Sequence, residues 1–195
     1  YDTIITESEL ENAVRLMPSK YGRPYKTNAT VIDNKFILNI LNLDENGNAS
    51  PTISSALKTN IINFISNKIS PNVAIEVQPT KIINYGLNIN LIVDNNIDRI
   101  TIEAEIEDTI REWSDKAGNN IGKNLNISSL YVRIGAISGV ISISSVVVDL
   151  ISGNPVNGAV NNVITSNNNI ILANYNEFYE LTDISNNVKL NFNVL

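Results

Sequence analysis

The sequence predicts an α+β fold: a small mixed sheet with helices packed on one face, followed by a β-rich C-terminal segment. Three observations predict it. Apolar residues recur every four positions in two stretches, Ile53-Leu57-Ile61-Ile65-Ile69 and Ile102-Ile106-Ile110, which is the helical period. They recur at every second position from Ile83 through Tyr85, Leu87, Ile89 and Leu91 to Val93, as one buried face of a strand requires. After Ser152 the helical pattern stops, and short apolar runs alternate with turn signals.

Taken in order, Ala13-Val14-Arg15-Leu16-Met17 is a short apolar run ended by Pro18. It reads as a strand leading into the loop Ser19 to Lys26. Lys35 to Leu43 shows partial alternation and reads as a mostly buried strand, closed by a turn at Asp44-Glu45-Asn46-Gly47. Ser50-Pro51 looks like an N-cap with proline at the first helical position, opening a helix that Pro71 ends. Lys81 to Asp94 is the clearest strand, with Asn84, Asn88 and Asn90 on its wetter face.

The next helix carries the stripe Ile102, Ile106, Ile110, Trp113 and Ala117, with Gly118 as its expected C-cap. Asn126 can cap a shorter helix bearing Leu130, Ile134 and Ile137, with Gly139 past its end. Val140 to Ile151 is a long β-branched strand. Residues 1–151 are therefore expected to form one α+β region.

Residues 152–195 form a β-rich appendage with turns at Gly153-Asn154-Pro155 and Asn157-Gly158. Its strand candidates are Ile170 to Leu172, Glu177 to Leu181 and Val188 to Leu195, without a helix. Large apolar residues are few there, so the segment should lean on the first region or on another chain.

Composition removes whole classes of chemistry. The 195 residues include no His and no Cys, so no Ser-His-Asp triad, His- or thiolate-ligated metal, cysteine nucleophile or disulfide can be built. Twenty acidic residues against 14 basic ones give a net charge of −6, which disfavours a nucleic-acid partner. No apolar run approaches the roughly 18 residues that a membrane span needs, so no membrane partner is expected. The chain opens on Tyr1 and its single methionine is Met17, so an upstream portion is expected.

Three motifs fall short of the chemistry they resemble. Gly118-Asn119-Asn120-Ile121-Gly122-Lys123 has three residues between its glycines where a phosphate loop has four, and Asn124 stands where Ser or Thr belongs. Asp44, Asn46 and Asn48 alternate like a calcium loop, but its glycine is misplaced and Ser55 occupies the position of the bidentate Glu. Glu103, Glu105, Glu107, Asp108 and Glu112 have the helical spacing of a solvated face. No catalytic residue, metal, cofactor or small-molecule substrate is expected, and the chain reads as a non-enzyme. The loop Tyr21-Gly22-Arg23-Pro24-Tyr25 is the candidate partner contact, through Tyr21, Arg23 and Tyr25: Tyr and Arg dominate interface hot spots, and proline stiffens the loop presenting them.

The order of segments resembles the middle region of the phage baseplate wedge proteins, the baseplate J-like family. Tyr1-Asp2-Thr3 looks like the tail of that region's opening Asp-Tyr element. Ala13 to Met17 is similar to its first short strand, and a strand and a helix follow. Ser70-Pro71-Asn72-Val73 resembles the opening of an extended segment, and Asn88 to Val93 the strand after it. Then comes a helix, and Gly122 through Val140 is similar to the family's next piece. There Asn126-Ile127-Ser128-Ser129-Leu130 starts a helix, and Ile137-Ser138-Gly139-Val140 turns it into the last strand.

The resemblance covers roughly residues 1–150 and lies in order and spacing. It implies a structural subunit of a contractile-tail baseplate that joins copies of itself and other tail proteins into a ring around the hub. It further implies rearrangement on sheath contraction, a place in the virion tail and assembly in the host cytoplasm. The N-terminal part of such proteins is missing here, and residues 152–195 are not matched to the family's C-terminal portion, which leaves their role open. Two other readings are a surface adhesin module presenting the 152–195 strands and a carboxylate-dependent enzyme using Glu103 with a second acid.

Overall fold

A computed structural model describes residues 3–115, 118–166 and 169–194. In chain order the elements are α1 (Glu7–Arg15), β1 (Lys26–Ile32), β2 (Lys35–Leu43), β3 (Ala49–Ser50), α2 (Ser55–Ser66), β4 (Ala74–Pro79) and β5 (Lys81–Val93). They continue with α3 (Arg99–Trp113), β6 (Leu125–Asn126), α4 (Ile127–Gly135), β7 (Val140–Ser152), β8 (Ala159–Val160) and β9 (Val163–Ile164). Last come β10 (Ile170–Ile171), β11 (Glu177–Glu180), α5 (Ile184–Asn187) and β12 (Val188–Val194). The fold class is mixed α+β, as the sequence predicts.

The chain forms two compact units. The first comprises Tyr1–Ile82, Asn120–Gly122 and Tyr175–Phe178; the second comprises Ile83–Asn119, Lys123–Asn174 and Tyr179–Leu195. The segment after Ser152 thus contributes to both.

In the first unit β1 and β2 form an antiparallel hairpin whose two-residue turn, Asp33-Asn34, has positive φ at both positions. That is the turn geometry matching the twist of paired strands. Strand β4 lies parallel to β2 on its other side, a pairing that needs a crossover, here made by α2. Phe36, Leu38 and Ile40 of β2 pack with Leu10 and Val14 of α1 and Ile61 and Ile65 of α2. Leu41 packs with Ile121 and Phe178. Burial on both faces is why β2 reads as a nearly continuous apolar run.

Helix α1 covers the free edge of β1. Glu7 and Glu11, one turn apart, accept from the backbone N–H groups of Val31 and Ala29, both at 2.7 Å. Carboxylates thus occupy edge donors that would otherwise be open to a further strand.

In the second unit the β5 residues at period two, Ile83 to Val93, are all buried against Ile102, Ile106 and Ile110 of α3 and Leu130 and Ile134 of α4. Beside β5 run β7, antiparallel, and β12, parallel from Leu87 to Val93. The opposite face of β5 ties these neighbours with amides: Asn90 Nδ2 donates to Ser145 Oγ (2.7 Å), Asn84 Nδ2 to Ser152 Oγ (2.9 Å), and Asn191 Nδ2 to Asn88 Oδ1 (2.8 Å). The strands after Ser152 lean on earlier ones as expected: β12 on β5, β10 on β6, and β9 on β7.

The structure corrects several local readings. Ala13 to Arg15 end helix α1 and are not a strand. Thr6 and Glu9 form a reciprocal capping box at its start, so Leu10 and Val14, four apart, share its buried face. The α2 N-cap is Ser54, whose Oγ accepts from Leu57 N at 3.1 Å; Ser50 lies in β3, paired with Asn42. Helix α3 ends at Ser114, ahead of Gly118. The hairpin strand β1 escaped the sequence reading, and the C-terminal segment does contain one helical turn, α5. Tyr1, Asp2, Ala117 and Leu195, which figure in the sequence reading, lie outside the described residues.

Candidate interaction site

The loop predicted to meet a partner joins α1 to β1 within the first unit. Buried Met17 and buried Pro24 pin its two ends. Between them Ser19–Tyr21 makes one 3-10 turn that closes on Gly22, whose φ of 89° is a left-handed conformation. A Cβ at Gly22 would also lie 3.0 Å from Leu57 Cδ1, so glycine is needed there on both counts. Asn60 Nδ2 of α2 donates to the Tyr21 carbonyl at 2.9 Å, and Tyr25 N donates to Leu41 O at 3.0 Å. The loop is therefore anchored by backbone contacts, while Tyr21, Arg23 and Tyr25 are exposed.

Tyr21 and Tyr25 are 38% and 39% exposed, and Arg23 is exposed between them. All three line one open hollow of about 930 Å³ together with Leu43, Leu57 and Asn60. A second hollow of about 400 Å³ lies beside it, lined by Glu11, Arg15, Arg23, Tyr25 and Lys26 among others. Lys20 Nζ stands 4.9 Å from the Tyr21 ring centre and Lys26 Nζ 5.4 Å from that of Tyr25, within cation–π range. The structure thus brings the three predicted contact residues together in one place.

It adds Arg15, which lines the second hollow and which the sequence reading passed over; Leu16 follows it in the chain. Leu16 is 78% exposed at the end of α1. Assigning Ala13 to Met17 to a strand hid it among core residues; the signal that could have exposed it is the Thr6-to-Glu9 capping box.

The other candidate groups are engaged locally. Asp44 Oδ1 accepts from Asn46 N at 2.9 Å and Asn48 N at 2.8 Å, which spends the carboxylate on its own turn. Lys123 Nζ donates to the Gly118 carbonyl at 2.7 Å, so the loop that resembles a phosphate cradle is closed by its own lysine. On α3, Glu105, Asp108 and Glu112 face solvent, and Asp108 pairs with Arg111 at 3.1 Å, an exposed pair of small energetic weight. Among the described residues no group of three or more acidic side chains is placed to hold a metal ion, and no helix is long and apolar enough to cross a membrane. Burial, aided by nearby Glu180, keeps the Tyr85 phenol protonated well above its usual range. Glu177 is fully buried against Lys81 at 3.3 Å.

No family profile matches the sequence, and no curated protein matches it. Among solved structures, the chain is similar to one in the cryo-EM structure of the anti-feeding prophage baseplate, 6-fold symmetrised, with a TM-score of 0.58 at 12% identity. The likeness covers 93% of this chain and 38% of the matched one. At that identity it is a likeness of fold, and this chain spans well under half the length of its match.

Proposed function

We propose that this chain is part of a structural, non-enzymatic subunit of a contractile-tail baseplate wedge of the J-like kind. It acts by protein–protein contacts with copies of itself and with neighbouring tail proteins, in a ring around the tail hub that rearranges when the sheath contracts. The observation that carries the reading is the fold likeness to a baseplate chain along nearly the whole length of this one. At the level of a contractile-tail baseplate component it goes with the resemblance read from segment order, although the strand expected at Ala13 to Met17 is the end of helix α1.

In this reading residues 1–151 are the family's middle region and 152–195 its appendage. The pairing of β12 with seven residues of β5 argues against 152–195 as a separately presented adhesin. The chemistry is consistent: the carboxylates of Glu7, Glu11 and Asp44 are committed to backbone donors. The test is to purify contractile particles from producing cells. This protein should copurify with sheath and tube in fixed ratio, and its deletion should leave tubes and sheaths that fail to join at one end. Its absence from purified particles would overturn the proposal.

A further inference from the structure

Charge is unevenly spread along this acidic chain. From Asn12 to Ile32 there are four cations, Arg15, Lys20, Arg23 and Lys26, and no acid. Helix α3 holds five acids against two cations. Three of these acids, Glu105, Asp108 and Glu112, follow one another at three- and four-residue spacing on its exposed side. Like charges so spaced destabilise a helix; among the described residues Asp108 pairs with Arg111.

Leu16, next to Arg15 in the chain, is 78% exposed. The loop side has a hollow of about 400 Å³ to receive a side chain, bounded by Arg15, Arg23, Lys26 and Tyr25. Its one acid, Glu11, is bonded to Ala29 N.

We propose that the Tyr21–Tyr25 loop, with Arg15 and Lys26, receives the acidic face of α3 from a second copy of this chain. This rests on the baseplate reading and names the partner of the loop. The contact joins two different surfaces, so it either closes reciprocally in a two-fold pair or propagates from copy to copy into a ring. Opposite charge fixes its orientation and makes it sensitive to salt.

The experiment uses the full-length protein in sedimentation velocity at low and high salt. The unaltered protein should associate reversibly, more weakly as salt rises. Arg15→Glu/Arg23→Glu should weaken association about tenfold or more, as should Glu105→Lys/Glu112→Lys. All four positions are exposed, and circular dichroism should show each variant folded. Mixing the two variants restores opposite charge at both kinds of contact, native at one and swapped at the other, so the mixture should associate again. A monomer under every condition, variants that associate as the parent does, or a mixture that stays monomeric would overturn the proposal. None of these results touches the baseplate reading, which is decided by the protein's presence in purified particles.

Discussion

The covering of the β1 edge by α1 yields a prediction with a worked magnitude. Four residues of α-helix rise about 6 Å, and two residues of strand about 6.7 Å, so carboxylates at Glu7 and Glu11 match the spacing of the N–H groups of Val31 and Ala29. The Ala29 bond is the more sheltered, with Ala29 at 5% exposure and Glu11 half-buried. A hydrogen bond to a charged group contributes about 1.5–3 kcal/mol; partial exposure brings Glu11 to about 1–2 kcal/mol. Glu11→Ala should therefore speed amide exchange at Ala29 about tenfold, at 1.4 kcal/mol per decade. With a urea slope near 2 kcal/mol/M it should lower the midpoint of the first unit by about 0.5–1 M. Glu11→Gln keeps a neutral acceptor and should lose about half as much. Ala29 exchange unchanged within twofold in Glu11→Ala, with an unchanged midpoint, would refute the edge-capping argument.

Three further outcomes follow from local geometry. A Cβ at Gly86 would meet the Asn187 backbone carbonyl at 2.7 Å, so Gly86→Ala should cost about 1–3 kcal/mol and release amide protection in β12; retained protection in Val188–Val194 would contradict it. The hydrogen bond from Lys35, then that from Gln78, holds the Glu76 carboxyl below its ordinary 4.5, so its stabilising effect is present above that value and fades as pH falls through the lowered one. Glu76→Gln should flatten the acid limb of a stability–pH curve below about pH 4.5, and an identical limb would contradict the assignment. Asn39 is wholly buried, with neither side-chain amide atom hydrogen-bonded. Asn39→Leu should raise stability by about 1 kcal/mol, whereas a loss would mean that an ordered water satisfies the amide.

The second unit was largely legible in the sequence because one physical signal sufficed there. The period-two run of β5 and the Ile102-Ile106-Ile110 stripe of α3 each bury one face against the other, so hydrophobic periodicity and tertiary packing agree. The first unit was harder to read. Strand β1 carries Thr, Asn and Ala, with Val31 47% exposed, and only its Asp33-Asn34 turn marks it. Helix α1 has two buried residues, Leu10 and Val14, and a capping box outweighs the apolar run at its end.

The contact loop could be read because Tyr, Arg and Pro are informative by type. Its cationic surroundings could not, since Arg15 joins it only once α1 is known to be a helix. Asn84, Asn88, Asn90 and Asn191 link β5 to its neighbours, a role that depends on register and not on local pattern.

The most direct measurement is a cryo-EM reconstruction of the distal end of the intact particle. The account predicts density fitting each of the two units described here, repeated in a ring around the hub, with the Tyr21–Tyr25 loop against protein. A ring whose subunits do not fit this fold, or this fold located away from the tail end, would contradict it.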